Sequence, residues 1–229
     1  MSNSTRGESV IIVAGGSGKR MGSDIPKQFL IIKGKPILMH TIEVFYRYSS
    51  AMQIVVVLPA EQIALWDELR VKYDFTIPHQ IAQGGSERFF SVSNGLKLVE
   101  EGRFVAVHDG VRPLVSLQTI RNCFNLVAIK KAVVPVIDAV ESIRKITDDG
   151  SVSVPRHLYK IVQTPQVFDY EVISTSYNLP FSPLFTDDAS VVEAAGFAIS
   201  LADGNSENIK VTSPIDLAIA EIWLGESKL

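Results

Sequence analysis

SVIIVAGGSGKRMGSDIPKQF, residues 9–29, opens as an unbroken apolar run and then breaks into a loop rich in glycine and cations. A run that does not alternate with polar residues is the pattern of a strand covered on both faces, as in the parallel sheets of α/β proteins. The loop after the first strand of such a sheet lies at its carboxyl edge, where open α/β sheets bind ligands. Three familiar glycine-loop patterns fail on it. From Gly16 the sequence reads GSGKRM, so Met21 stands where the third glycine of a dinucleotide fingerprint belongs, and no acidic ribose ligand follows about 20 residues on at a strand end. Gly18-Lys19 is followed by Arg20, not by the Ser or Thr of a Walker A loop. Lys19 also stands where a nucleophile elbow centred on Ser17 needs glycine. What remains is flexible backbone at Gly15, Gly16, Gly18 and Gly22 with positive charge at Lys19, Arg20 and Lys27. Glycines let backbone N–H groups turn toward an anion, and Lys and Arg neutralise several phosphate charges together. A triphosphate suits that site.

Outward from the loop, Val- and Ile-rich runs alternate with stretches at helical spacing. ILMHTIEVFYRY, AEQIALWDELRVKY, ERFFSVSNGLKLVEE and LQTIRNCFNLVAI predict helices, and QIVVVLP, RFVAVHDG and AVVPVID predict strands. The expected fold is therefore α/β and Rossmann-like, a mostly parallel sheet with helices on both faces. The rhythm breaks between about residues 139 and 157, where two polar, β-capable stretches flank Asp149-Gly150, a favoured turn pair. This reads as a protruding β-hairpin arm, too polar for the core, and so either a solvated ornament or, the favoured reading, a surface that meets another subunit. Beyond it the α/β pattern resumes through YEVISTSYNL, ASVVEAAG and FAISLAD, and closes in a helix, PIDLAIAEIWLG, with Pro214 near its first turn.

At 229 residues, 46% hydrophobic and 21% charged, the chain is expected to form one domain spanning residues 1–229. A net charge of -3 without a basic run speaks against nucleic acid or an anionic membrane as partner. A polar start and the lack of any long apolar run predict a cytoplasmic protein with no membrane partner. The single cysteine, Cys123, falls in the apolar pattern of a helix and reads as a core residue.

Six segments taken together, AGGSGKRMGSDIPKQF, GGSERFFSV, VHDGVRP, QTPQVF, FTDDAS and ENIKVTSPIDLAIAE, resemble the cytidylyltransferase family that activates polyol phosphates, from Val10 to about Leu224. The resemblance implies transfer of a cytidylyl group from CTP to a polyol phosphate, with release of pyrophosphate and with magnesium. The wording leans toward the branch that takes a methylerythritol phosphate for isoprenoid precursors, with ribitol 5-phosphate as the alternative acceptor and a non-catalytic nucleotide-binding module as the alternative outside the class. It implies that Lys27 and Lys210 flank the α-phosphate and that Arg20 holds the triphosphate, with Ser17, Gly18 and Lys19 in the same loop. Lys210, between apolar neighbours at an expected strand end, needs an anionic partner if it faces inward. Gly84, Gly85, Ser86 and Ser91, opposite Ala14, Gly15 and Gly16, would read cytosine; family members often have an acidic residue at Ser86 and alanine at Gly15. Asp109, directly after an apolar strand, would bind magnesium or a substrate hydroxyl, and Arg112 would support Asp109 or meet the polyol. Thr164 and Thr186 would contact polyol hydroxyls, with Asp187 either beside them or capping the next helix. Arg156 and Ser142, in the arm, would reach the acceptor of a neighbouring subunit, making the protein a homodimer. The reaction asks for no strong base, because a phosphate monoester is already largely a dianion near neutral pH.

Overall fold

The computed structural model describes residues 7–16, 25–100 and 103–226. Strand β1 (Glu8–Val13) leads through the loop to a single 3-10 turn at Lys27–Phe29 and a small ribbon of β2 (Ile31–Ile32) and β3 (Lys35–Pro36). There follow α1 (Ile37–Tyr48), β4 (Gln53–Leu58), α2 (Ala60–Lys72), β5 (Gln80–Gln83), α3 (Arg88–Leu96), β6 (Phe104–Asp109), α4 (Leu117–Lys130) and β7 (Ala132–Asp138). The arm is β8 (Ile143–Thr147) and β9 (Gly150–Val154). The chain then returns through β10 (Lys160–Val162), β11 (Gln166–Asp169), α5 (Tyr170–Ser176), α6 (Asp188–Ala194), β12 (Ser200–Asp203) and α7 (Pro214–Glu226).

The main sheet runs β10-β7-β11-β6-β1-β4-β5, with β12 on β7. β1 pairs in parallel with both β4 and β6, and β4 with β5. The expected Rossmann-like sheet is therefore present and mostly parallel, with β10 and β11 as its antiparallel members. Successive strand residues point to opposite faces, and both faces are covered. Val10 and Ile12 of β1, with Ile54, Val56 and Leu58 of β4, pack on Leu38, Ile42, Phe45, Trp66 and Phe124 of the helices α1, α2 and α4. Ile11, Val55 and Val57 face the other way, onto Phe89, Val92 and Leu96 of α3 and onto residues of α5 and α6. This two-sided burial is why the strands carry no polar alternation. Cys123 is fully buried on α4, and burial pushes its thiol up to about 12, so it is a core residue as expected.

Two local expectations need correction. The turn of the arm is Asp148-Asp149, one residue earlier than expected, because Gly150 already pairs with Thr147 as the first residue of β9 and has φ +139°. Helix α3 stops at Leu96 and does not continue through VEE. Past that point Leu98 and Val99 donate back only three residues, and Gln53 accepts from the Glu100 N–H and donates to the Leu98 carbonyl, which removes the partners a further helical turn would use. Pro214 does open α7, as expected.

Gly95 marks where α3 lies closest to the sheet: a Cβ there would stand 2.7 Å from Ile11 Cγ2 and 3.1 Å from Val57 Cγ2. Replacing a helical glycine with alanine ordinarily gains roughly 0.5–1 kcal/mol, whereas overpacking a close-fitted core costs about 1–3 kcal/mol. The second effect should win, so Gly95→Ala is expected to lower the urea midpoint by the equivalent of about 1–2 kcal/mol; an unchanged or raised midpoint would show that helix and sheet can separate without cost.

Candidate active site

The carboxyl ends of β1, β4, β5 and β6 converge on one cavity of about 250 Å³. Backbone bonds hold its rim together: Ala14 N–H donates to the Val57 carbonyl at 2.9 Å, Gly84 N–H to Leu58 at 2.8 Å, and Gly110 N–H to Val13 at 2.8 Å. Each strand thereby delivers its first loop residues to the same place. Ten of the expected residues line it: Ala14, Gly15, Gly16 and Lys27 from one side, Gly84, Gly85, Ser86 and Ser91 from another, and Asp109 and Lys210 between them. Arg20, Ser17, Gly18 and Lys19 lie outside the described residues.

Asp109, the last residue of β6, is the electrostatic centre. Its Oδ2 accepts from Lys210 Nζ at 3.0 Å and from Arg112 Nε at 3.1 Å, while Oδ1 faces Arg88 Nε at 4.0 Å. Burial alone would raise the pKa of this carboxyl, but Lys210, Arg88 and Arg112 outweigh it and hold the group well below the usual carboxylate range. Asp109 is thus ionised throughout the physiological range, and one carboxylate faces three cations. Counting Lys27 with these cations, and Glu87 and the Arg88 partner Asp188 with the carboxylate, four cations stand against three carboxylates, so the cavity keeps a net positive charge.

Behind Asp109 a buried chain fixes the strand end. The Asp109 N–H donates to Thr164 Oγ1 at 3.1 Å, and Thr164 Oγ1 lies 3.0 Å from His108 Nδ1. His108 Nε2 lies 3.0 Å from the Arg112 carbonyl, an acceptor, so the proton is assigned to Nε2 and Thr164 donates to Nδ1. Thr164 is buried and its hydroxyl is spent on this chain. Arg112 serves both directions: besides Asp109 it donates to the Asn208 carbonyl at 2.8 Å.

That last bond helps place Lys210. The residue lies on an irregular segment, not at the strand end expected from its apolar neighbours, because β12 ends at Asp203 and no ladder forms beyond it. Side-chain amides do the positioning instead. Asn208 Nδ2 donates to the Thr164 carbonyl at 2.8 Å, Gln163 Nε2 donates to the Asn205 carbonyl at 2.9 Å, and the Val211 N–H reaches the Val111 carbonyl at 3.0 Å. Lys210 does have the anionic partner that an inward-facing lysine requires.

On the glycine side, a Cβ on Gly16 would stand 2.7 Å from Lys27 Cε, so the glycine admits the lysine stem. Gly15 has its nearest atom, Pro59 Cγ, at 4.0 Å, which leaves room for alanine. Gly85 has no such room, since a Cβ would fall 2.3 Å from Phe90 Cβ. Ser91 is buried, accepting from the Gly85 N–H at 3.1 Å and donating to the Glu87 carbonyl at 3.1 Å. It therefore fixes the shape of the Gly84–Glu87 loop.

The other expected residues stand apart from the cavity wall. Thr186 is exposed just before α6, and Asp187 caps that helix, accepting from the Ser190 N–H at 2.9 Å in a full capping box. Ser142 and Arg156 are exposed at the base of the arm, where Arg156 donates to the Val140 carbonyl and lines a separate recess with His157 and Lys160. Sequence reasoning missed Gln28 and Arg88, both in the cavity wall. Arg88 stood inside a quoted motif, but its signal was a partner exactly 100 positions away, Asp188, which no local pattern discloses.

Among the described residues no three His, Cys, Asp or Glu side chains form a ready-made metal site. Magnesium usually takes only one or two carboxylates and completes its shell with phosphate oxygens and water. Asp109 Oδ1, farther from its cation than a hydrogen bond, fits the carboxylate share of such a shell.

Glycine loops and cations gathered at the carboxyl edge of a parallel sheet define a nucleotide-binding α/β protein built to receive phosphates. The family model for 2-C-methyl-D-erythritol 4-phosphate cytidylyltransferase matches residues 9–226. The protein of that name from Bacteroides thetaiotaomicron is 55% identical over 217 residues, covering 95% of this chain and 99% of that protein. The one from Porphyromonas gingivalis ATCC 33277 is 50% identical, over 93% of this chain and 96% of that protein. Among solved structures, 4-diphosphocytidyl-2C-methyl-D-erythritol synthase of Anaerococcus prevotii superposes with a TM-score of 0.82 at 26% identity, covering 96% and 99% of the two chains. This chain belongs to the 2-C-methyl-D-erythritol 4-phosphate cytidylyltransferase family and is a nucleotidyltransferase.

Burial holds His108 down to about 4 from its usual 6.5, so it is neutral when folded. The unfolded chain binds the extra proton between those values, and stability falls as pH drops through that window. The contribution is complete above about pH 6.5, and protonation can remove at most about 3 kcal/mol of it. Melting temperature should therefore decline more steeply from pH 6.5 to 4 in the wild type than in His108→Gln, and parallel curves would contradict the assignment.

Proposed function

We propose that the cavity holds CTP with magnesium and that a polyol phosphate, 2-C-methyl-D-erythritol 4-phosphate, attacks its α-phosphorus. The observation that carries this is the carboxylate of Asp109 surrounded by Lys210, Arg112 and Arg88 and facing a glycine loop with Lys27. A site with surplus positive charge and no described Ser-His-Asp arrangement matches a reaction whose nucleophile is already an anion. A phosphate oxygen of the acceptor forms a bond to the α-phosphorus, the bond from that phosphorus to the α,β-bridging oxygen breaks, and the electron pair leaves with pyrophosphate. Lys27 and Lys210 would flank the α-phosphate and Arg20 the rest of the triphosphate, stabilising charge that spreads over the equatorial oxygens. Asp109 would hold magnesium, which neutralises the phosphates when bound. Backbone groups of Ala14, Gly15, Gly84 and Gly85, shaped by Ser91, would measure the base, where a pyrimidine fits and a purine is too long.

The acceptor side completes the reading. Thr186 would meet the polyol, and Arg156, with Ser142, would bind the acceptor phosphate from the arm of a second subunit. The arm and its base expose Val140, Ile146, Val152, Leu158 and Ile161, apolar side chains that suit a subunit contact better than solvent. The whole chain would act as one nucleotidyltransferase domain in a homodimer. No described helix is long and apolar enough to cross a membrane, in keeping with work on small phosphorylated substrates in the cytoplasm.

Pyrophosphate release with CTP and magnesium should be fast with 2-C-methyl-D-erythritol 4-phosphate and slow with ribitol 5-phosphate; the reverse preference moves the protein to the other branch, and no release with either refutes the transferase reading. Lys27→Ala and Lys210→Ala should each lower kcat by about 10²–10³-fold. A mixing experiment tests the shared site. If Arg156 acts across the interface, Arg156→Ala and Lys210→Ala proteins, each nearly inactive, should recover about a quarter of wild-type activity when their subunits are exchanged, because one site in each mixed dimer is intact. No recovery would place Arg156 in the site of its own chain.

A further inference from the structure

Arg88 and Asp188 form a buried pair that joins the two sides of the site. Arg88 is the first residue of α3 and lines the cavity, whereas Asp188 is the first residue of α6, fully buried and absent from the cavity wall. The guanidinium grips the carboxylate in bidentate fashion, Nη1 to Oδ1 at 2.8 Å and Nη2 to Oδ2 at 2.7 Å. Tyr177 adds its hydroxyl to Asp188 Oδ1 at 2.6 Å. Burial of Arg88 would by itself lower its pKa, but the charge of Asp188 outweighs it, so the arginine stays charged.

The grip has two geometric results. With both Nη groups committed to Asp188, the remaining nitrogen, Nε, is the one turned toward Asp109, at 4.0 Å. Asp188 also lies two residues after Thr186, so the segment before α6 is tied to α3, which carries Ser91 at the base-reading end. A second brace acts from the sheet: Gln166 donates to Asp187 Oδ2 at 2.8 Å and accepts from the Ala189 N–H at 2.8 Å. The sheet brace fixes α6 against β11, and the arginine supplies the polar tie from α6 to the nucleotide wall. Aromatic packing alone would not set that register to within a few tenths of an ångström, although Phe89 stacks on Tyr177 at 4.8 Å and on Phe185 at 5.8 Å. Buried ion pairs contribute little net stability over apolar replacements, and a fixed geometry is the return they offer.

We infer that Arg88 is a positioning residue for the transfer: through Asp188 it sets the acceptor-binding segment at Thr186 in register with Asp109 and the nucleotide pocket. This rests on the reading above that Thr186 faces the acceptor. The fully buried Asp188 is the cleaner place to test it, since it touches no substrate.

The experiment is steady-state pyrophosphate release with CTP and 2-C-methyl-D-erythritol 4-phosphate varied in turn, for wild type, Asp188→Asn and Tyr177→Phe, with melting temperatures alongside. Asp188→Asn should raise the acceptor KM about tenfold or more, a displacement of an ångström or less being enough, while the KM for CTP stays within about twofold of wild type. Tyr177→Phe keeps the ion pair and should lose melting temperature without that split. If Asp188→Asn does not fold, Asp188→Glu carries the same comparison, because it keeps the carboxylate but shifts the paired bonds, and it lies outside the cavity wall. Equal changes in both KM values, or a fall in melting temperature with unchanged kinetics, would reduce the pair to a structural brace and overturn the inference. Wild-type protein inactive with every polyol phosphate would instead overturn the functional reading on which it stands.

Discussion

The carboxylate of Asp109 is the group on which the site depends, because it lets three cations share a partly buried cavity. Lys210 arrives from a segment about a hundred residues later in the chain, Arg112 from the turn after β6, and Arg88 from α3. Without an anion at their centre Lys210 and Arg112 would repel one another in a low dielectric and turn to solvent, whereas Arg88 keeps its own buried partner in Asp188. The hydrogen-bonded chain through Thr164 and His108 keeps the carboxylate itself in place. Positive charge is thus stored in a fixed geometry before a triphosphate arrives, which is what electrostatic catalysis requires of a protein.

The same logic explains which polar groups the fold buries. Gln163, Asn205 and Asn208 spend their amides on backbone carbonyls around the Lys210 segment, doing for an irregular stretch what a ladder does for a strand. Such a segment can follow the contour of a ligand where a strand cannot. Its cost falls on Asn208, fully buried, whose Nδ2 is bonded while its Oδ1 has no partner among the described residues.

Much of this was legible in the sequence, and the divide between what was and was not follows range. Strands with two buried faces announce themselves by unbroken Val and Ile, so β1, β4, β6 and β7 could be read directly, as could α1, α2 and α4 from their spacing. The loop after β1 could be placed at the binding edge because it follows an apolar strand, and Ala14, Gly15, Gly16 and Lys27 do line the cavity there. The stop of α3 could not, since it is imposed by Gln53 from a neighbouring strand. Nor could the role of Arg88, whose partner is remote in sequence, or the commitment of the Thr164 hydroxyl to the interior. Lys210 was identified by resemblance and by its need for an anion, yet its apolar neighbours suggested a strand where amide contacts supply the support.

The direction of β11 has a further consequence. Since it runs against both β6 and β7, it begins at the edge where they end, bringing Thr164 against Asp109 and Gln166 opposite Val107. The arm leaves from the end of β7 and the chain comes back into β10, whose Lys160 pairs with Asp138 at that same end, so the arm is rooted at the binding edge on both sides. It behaves as an insertion between two fixed posts. Its length and sequence can change without moving the strands that carry the cavity, because both of its roots are held by the sheet.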